Sequence, residues 1–504
     1  MSRTVAAIDL GAESGRVATV TYDGARLELD VVHRFVHTPV SDGDVLRWDL
    51  ATLWSQIQAG LQMLDAGDVA ISAVGVDAWG VDYGLLDASG ALVDVPTCYR
   101  DPRSVRAMHR AIAAVGMDTL YDSTGVQVIP INTVFSLLSD VTEHPGRLAA
   151  AERLLMLPDV FHHLLSGSTV TEYTAASTSG ALDMTSGAWA TSLLDRLDIP
   201  TRLLPEVVMP GTDVGPLLGG YSGSLRDCRV ILPPAHDTAS AVVGVPYLDA
   251  GDMFISSGTW SLVGAETGQA YVTADSRRAN LTNEGGYGGT IRLLSNVMGL
   301  WILQNCRRQW LSEGVELSYA EIAQLAGDEP GLVSIINPDA EDFLPPGDMP
   351  RRIQDYCARV GMPVPATVGA IARCVIDSLA LSYREVRESI TAVSKQAPPT
   401  INIVGGGSSH ALLSQLTADA TGVLVRCGPV EATALGNAAV QLAALGELGD
   451  LAHIRRVVAA SGDVSRYHPQ ARHDWDTAAE RFATLRRDDR ARARSSGAPS
   501  TVST

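Results

Sequence analysis

"VAAIDLGAESGRVATVTYD", residues 5–23, sets the terms on which the rest of the chain is read. Two runs of β-branched and small apolar residues flank a turn of Gly, Ala, Glu and Ser, which predicts strand, turn, strand. "YDG" (22–24) supplies a second turn and "LELDVVHRFV" (27–36) a third strand. The theme returns in "GDMFISSGTWSLVGAET" (251–267), again an apolar run, a small-residue turn and an apolar run. The two stretches agree in pattern and not in identity. Two similarly built units predict two similarly built domains with a cleft between them.

Outward from these anchors the chain alternates strands with helices. "DLATLWSQIQAGLQMLDAG" (49–67) carries apolar residues at helical spacing and ends on Gly, and "AISAVGVDAWGVDYGLLDASGALV" (70–93) returns to strands. "RSVRAMHRAIAAVG" (103–116) and "PDVFHHLLSG" (158–167) read as amphipathic helices, and "TINIVGGGSSHALLSQLTADATG" (400–422) as strand, triple-Gly turn and helix. This order is that of a layered α/β protein. Its 504 residues, 46% hydrophobic and 19% charged, suit two large domains.

The formal charge of −19 argues against a nucleic-acid partner, because a phosphate backbone calls for a basic face. No apolar stretch approaches the length of a membrane span, and Asp9 interrupts any leader-like run, so a soluble cytoplasmic protein is expected. Six scattered cysteines form no CxxC, and the histidines show no metal-ligand spacing. Lys395 is the sole lysine and no GxxxxGK[ST] surrounds it, which excludes a Walker phosphate loop.

Three Gly- or Ser-rich turns each leave an apolar strand: "DLGAESGR" (9–16), "SSGTWSLVG" (256–264) and "IVGGGSSH" (403–410). Each alone reads equally as a plain turn. Together they suit a polyphosphate, with backbone N–H groups, the Ser14 hydroxyl and the Arg16 guanidinium facing the anion and Asp9 placed to hold a hydrated Mg²⁺. "GVDAWGVDYGLLD" (75–87) sets Trp79 and Gly80 among carboxylates, which suits a sugar or a hairpin with one packed Trp. "LPPAHDTASAV" (232–242) places His236 and Asp237 in an apolar setting, either as a buried ion pair or as a carboxylate base made stronger by desolvation.

Taken together, "DLGAESGR", "GVDAWGVDYGLLD", "CYRD" (98–101), "HDTASAV" (236–242), "SSGTWSLVG", "NLTNEGG" (280–286), "NVMGLWILQ" (296–304), "IVGGGSS" and "GPVEATALGN" (428–437) resemble the FGGY carbohydrate kinases, in the family's order. The resemblance implies two actin-like, ribonuclease H-like ATPase domains whose cleft brings ATP and a sugar together, with L-rhamnulose phosphorylated at its 1-hydroxyl and Mg²⁺ as cofactor. It assigns Asp237 as proton acceptor and Gly80, His236, Asp237, Thr238 and Asn296 to the sugar. It assigns Ala12, Glu13, Ser14, Gly15, Arg16, Thr259, Gln304 and Gly406 to ATP. His410 stands where many members have Asn, and Cys357 and Cys374 match a cysteine pair seen in some of them; free thiols are expected in a reducing cytoplasm. The domains are expected at 1–245 and 246–450, with a helical extension at 451–484 and a disordered tail from 485 to 504. Kinases acting on L-fuculose or L-xylulose, and a non-catalytic sugar-binding protein of kinase ancestry, are the alternatives.

Overall fold

The computed structural model describes residues 2–344, 347–470 and 473–495. Its first sheet holds β1 (Arg3–Leu10), β2 (Ser14–Tyr22), β3 (Leu27–Val36), β4 (Ile71–Ala78), β5 (Asp213–Pro216) and β6 (Arg229–Ile231), in the order β5-β6-β4-β1-β2-β3. β1 is antiparallel to β2 and parallel to β4. Seven of its eight residues are buried, as a near-continuous apolar central strand requires.

The second sheet repeats this plan. It holds β7 (Met253–Ser257), β8 (Trp260–Thr267), β9 (Thr282–Gly285), β10 (Ile291–Met298), β11 (Thr400–Val404), β12 (Leu424–Cys427) and β13 (Ser465–Tyr467), in the order β9-β10-β8-β7-β11-β12-β13. β7 is antiparallel to β8 and parallel to β11, as β1 is to β2 and β4. The repeat read from 5–23 and 251–267 is therefore a topological repeat.

Helices cover the sheets. In α1 (Leu50–Asp65) the Asp49 carboxylate caps Thr52 N at 3.0 Å, and Leu50, Leu53, Ile57, Leu61 and Leu64 form the buried stripe. Further along lie α2 (Asp237–Val243), α3 (Trp301–Ser312), α4 (Met349–Arg359), the long α5 (Val368–Ser394), α6 (Ala411–Thr421), α7 (Ala432–Ala444) and α8 (His473–Ser495). α5 lies under the second sheet and packs with α6 in its core.

α7 crosses back. Although it follows the last parallel strand of the second sheet, it packs on α2 and on the first sheet, where Gln441 Nε2 donates to Ala6 O at 2.9 Å. A Cβ on Gly436 would stand 1.8 Å from Ser240 O, so only glycine permits the α2–α7 approach.

The end of the chain differs from expectation. Residues 485–495 continue α8 rather than forming a tail; 496–504 lie outside the described residues. Trp475, Ala478, Phe482 and Leu485 keep helical spacing and are buried, and Arg486 reaches Asp339 at 2.9 Å and Glu385 at 3.1 Å. Within the segment expected as tail, buried Leu485, the paired Arg486 and Asp489, whose Oδ2 accepts from Tyr356 Oη at 2.8 Å and Asn337 Nδ2 at 3.0 Å, tie the helix to the second domain. Cys357 on α4 and Cys374 on α5 are both buried in the core of the second domain, and all six cysteines are free thiols.

Candidate active site

A cleft of about 370 Å³ opens where the strand-end turns of the two sheets meet. Asp9, at the end of β1, is paired in register with Arg16 on β2 and Asp77 on β4. Arg16 Nη2 stands 2.7 Å from Asp9 Oδ2, and its other terminal nitrogen donates to Glu431. Burial, with the Asp237 and Glu431 charges, pushes the Asp9 carboxyl up to about 6 against the pull of Arg16. Asp77 is fully buried, accepts from Asn437 Nδ2 at 2.5 Å, and is raised by burial and by Asp9.

The turns are built by backbone contacts. Gly11 N donates to Ser14 O at 2.9 Å, and a His37 ring N–H donates to Gly11 O at 2.8 Å. Trp301 N donates to Thr259 O at 3.2 Å, which seats α3 on the second turn and brings Gln304 to the cleft. A Cβ on Gly407 would stand 2.0 Å from Ser257 Oγ, so the second and third turns interlock, while nothing lies within 4 Å of a Cβ on Gly406. His410 is not among the residues lining the cleft and caps α6: its Nδ1 accepts from Leu413 N at 3.2 Å, and burial lowers its pKa.

The His236–Thr238 segment joins the short helix Tyr173–Ala176 through a buried carboxylate. Glu172 accepts from Thr174 N at 2.8 Å, Thr174 Oγ1 at 2.6 Å and Ala235 N at 3.0 Å, and His236 N donates to Thr174 Oγ1 at 3.1 Å. Asp237 begins α2. Its Oδ1 accepts from Thr238 N at 2.5 Å and Thr238 Oγ1 at 3.3 Å, with His236 Nε2 at 3.4 Å. Among the described residues no hydrogen bond is made to Oδ2, and the side chain is 29% exposed at the cleft. Burial raises the carboxyl above its ordinary value, opposed by His236, Thr238 and Arg292.

On the adjoining wall Asp82 Oδ2 accepts from Trp48 Nε1 at 2.6 Å and Trp79 Nε1 at 2.9 Å, and His37 stacks on Trp79 with ring centroids 5.4 Å apart. Burial pushes Asp82 up to about 7 despite both indoles. Val81 has φ +69°, a left-handed conformation that is strained for a β-branched residue. Its N–H donates to Thr178 Oγ1 at 2.9 Å and its carbonyl accepts from Thr133 Oγ1 at 2.5 Å. Asn296 Nδ2 reaches Gln127 Oε1 at 3.1 Å.

Asp9, Ala12, Glu13, Ser14, Arg16, Gly80, His236, Asp237, Thr238, Thr259, Asn296, Gln304 and Gly406 all line this one cleft. Gly15 does not: a Cβ there would meet the Phe35 ring at 2.4 Å, so its lack of a side chain serves packing against β3. The sequence reading missed Val81, Gln127 and the buried pair Glu284–Arg292. An arginine inside the apolar run "TIRLLSN" was the available signal for the last.

Models of the FGGY family of carbohydrate kinases match the chain twice, the N-terminal domain over residues 4–244 and the C-terminal domain over 253–445. The chain belongs to the FGGY family of carbohydrate kinases. It is 41% identical over 486 residues to a rhamnulokinase of Pectobacterium atrosepticum, covering 96% of each chain. It is 38% identical over 480 residues to a rhamnulokinase of Bacteroides thetaiotaomicron, covering 95% of this chain and 98% of that one. Among solved structures, gluconate kinase from Lactobacillus acidophilus aligns with a TM-score of 0.78 over 99% of both chains at 16% identity. Plasmodium falciparum glycerol kinase with ADP aligns with a TM-score of 0.76 over 97% of this chain and 98% of that one, at 15% identity. At such identity these two show the fold, the actin-like two-domain α/β architecture of FGGY kinases. No helix among the described residues is long and apolar enough to cross a membrane.

Proposed function

We propose that this FGGY kinase transfers the γ-phosphoryl group of ATP to the 1-hydroxyl of L-rhamnulose, giving L-rhamnulose 1-phosphate and ADP. The full-length similarity to proteins named rhamnulokinase supports the choice of sugar. The observation that carries the chemistry is Asp237: one carboxylate oxygen is tied to Thr238, the other is left toward the cleft, and burial raises its basicity. An attacking hydroxyl must give up its proton as the phosphoryl group arrives, and Oδ2 of Asp237 accepts it. Gly80, His236, Thr238 and Asn296 orient the sugar. The turns at 11–14, 256–259 and 405–407, with Arg16 and Gln304, hold the nucleotide. Meeting in one cleft keeps water from competing for the phosphoryl group.

The carboxylate floor fits Mg²⁺ held through water. No group of three or more His, Cys, Asp or Glu among the described residues is arranged to ligate an ion directly, whereas Asp9 lies in the cleft with its carboxyl raised by burial and then by the Asp237 and Glu431 charges. Asp9 would hold the hydrated ion, which supplies charge neutralisation to the phosphates when bound. The acidic, soluble character expected from the sequence agrees with a cytoplasmic enzyme.

The test is ADP release with Mg-ATP against L-rhamnulose, L-fuculose, L-xylulose, D-xylulose and glycerol, for the parent and Asp237→Asn. A lead for L-rhamnulose, with kcat lowered by about 10²–10⁴-fold in the variant and ATP binding retained, is expected. Full turnover by Asp237→Asn would overturn the base assignment, and another sugar in front would move the specificity.

A further inference from the structure

His236 is the cleft side chain whose role depends on which ring nitrogen carries its proton. Three charged groups surround it, two of them buried. Glu284 on β9 and Arg292 on β10 are register partners within the second sheet, whereas His236 follows the first. Arg292 is fully buried; its Nε donates to Gly285 O at 2.8 Å, and its Nη2 stands 3.1 Å from His236 Nδ1 and 3.2 Å from Glu284 Oε2. Glu284 Oε2 also lies 3.3 Å from Nδ1. On the far side of the ring, Nε2 is 3.4 Å from Asp237 Oδ1.

A guanidinium only donates, so the nitrogen that Arg292 meets must accept. A hydrogen on Nδ1 would be driven against the Arg292 N–H. Glu284 Oε2 is the competing acceptor for such a hydrogen; among the described residues the one hydrogen bond of the ring is with Arg292 Nη2, and neither Glu284 Oε2 nor Asp237 Oδ1 makes one with it. Burial would raise the Glu284 carboxyl, yet the carboxyl is held below its ordinary value, the Arg292 guanidinium beside it being the largest lowering influence. Its charge is thus matched by the guanidinium.

We propose that Arg292 is a positioning residue that holds His236 in the tautomer with its proton on Nε2, so that the ring N–H faces Asp237 Oδ1 and Oδ2 is left to accept the proton of the sugar hydroxyl. The opposite tautomer would turn a lone pair toward the Asp237 carboxylate. Two acceptors would then face each other at 3.4 Å, and the carboxylate would rotate away. The orientation of the base is therefore set from the second sheet, across the cleft. The proposal rests on reading Asp237 as the base.

The test is made on the full chain, without ligands, labelled with ¹⁵N-histidine and examined by two-bond ¹H–¹⁵N correlation near neutral pH. His236 is assigned by the signals lost in His236→Gln. A pyridine-type Nδ1 with a pyrrole-type Nε2 is expected. A pyrrole-type Nδ1, or two charged-type nitrogens, overturns the proposal. In Arg292→Met the uncompensated Glu284 should draw the proton to Nδ1, and in Arg292→Lys an obligate donor should restore the parent pattern. For Arg292→Met a fall in kcat is expected between about tenfold and the roughly 10⁴-fold that a wrongly set histidine tautomer costs a serine protease, with KM for ATP held. An Nε2–H pattern persisting in a folded Arg292→Met would also overturn it. Should that variant not fold, the parent spectrum decides. The spectrum involves no turnover, so a wrong tautomer leaves the base reading standing, and full activity in Asp237→Asn leaves the tautomer standing.

Discussion

Replacing Asp82 by Asn should make the protein more stable above neutrality and should weaken the pH dependence of its stability. Asp82 is 4% exposed and accepts both indole N–H groups, of Trp48 and Trp79, on the single atom Oδ2. Asn can present its carbonyl oxygen at that position and keep both bonds. Its amide nitrogen then replaces the second carboxylate oxygen near the Tyr99 backbone N–H, at a constant cost of about 1–3 kcal/mol. The varying part comes from ionisation. From its ordinary 3.8 up to about 7, the folded chain keeps a proton on Asp82 that the unfolded chain has released. The unfolded state thus binds fewer protons in this window, and stability falls as pH rises through it. At about 1.4 kcal/mol per pH unit, the loss is about 4 kcal/mol, complete above the folded value and absent in Asp82→Asn. Urea unfolding of both proteins at intervals from about pH 4 to about pH 8 measures the difference. Asp9 and Glu172 are also raised, but they are common to both chains and cancel. The expected result is an Asp82→Asn advantage that grows by about 4 kcal/mol across the range and flattens above about pH 7. A difference that is independent of pH, or that shrinks as pH rises, would show that Asp82 is not held protonated by burial.

Gly80→Ala puts a Cβ 2.9 Å from Thr178 Oγ1, the group that holds Val81 N, so destabilisation of about 1–3 kcal/mol and a raised KM for the sugar are expected from thermal melts and initial rates. An unchanged sugar KM would separate Gly80 from the sugar pocket. Gly407→Ala drives a Cβ into Ser257 Oγ and should weaken ATP binding more than sugar binding, measured by titration calorimetry with each ligand; equal losses would mean a global effect. Thiol titration of the unfolded, unreduced chain should count six free thiols, Cys357 and Cys374 included, and a count of four would show a bridge.

The sequence by itself determined the repeated strand-turn-strand plan, the three Gly- and Ser-rich turns and the carboxylate of Asp237, because each is written in a handful of consecutive residues. Strand alternation, turn chemistry and an acidic residue in an apolar run are local signals. Only the tertiary structure decided that His236 meets the Glu284–Arg292 strand pair, since His236 follows the first sheet and lies 56 residues before Arg292 with no period linking them. It also decided that α7 returns to the first sheet, which depends on a helix–helix approach at Gly436 that no one-dimensional pattern encodes. Gly15 shows the converse, a glycine whose place in a phosphate-like turn suggested a ligand while a ring on the neighbouring strand explains it. The strain at Val81 was likewise invisible, because its φ is imposed by Thr133 and Thr178, partners 52 and 97 residues away. Local chemistry chose the groups; packing between distant segments chose their neighbours, and with them their protonation and aim.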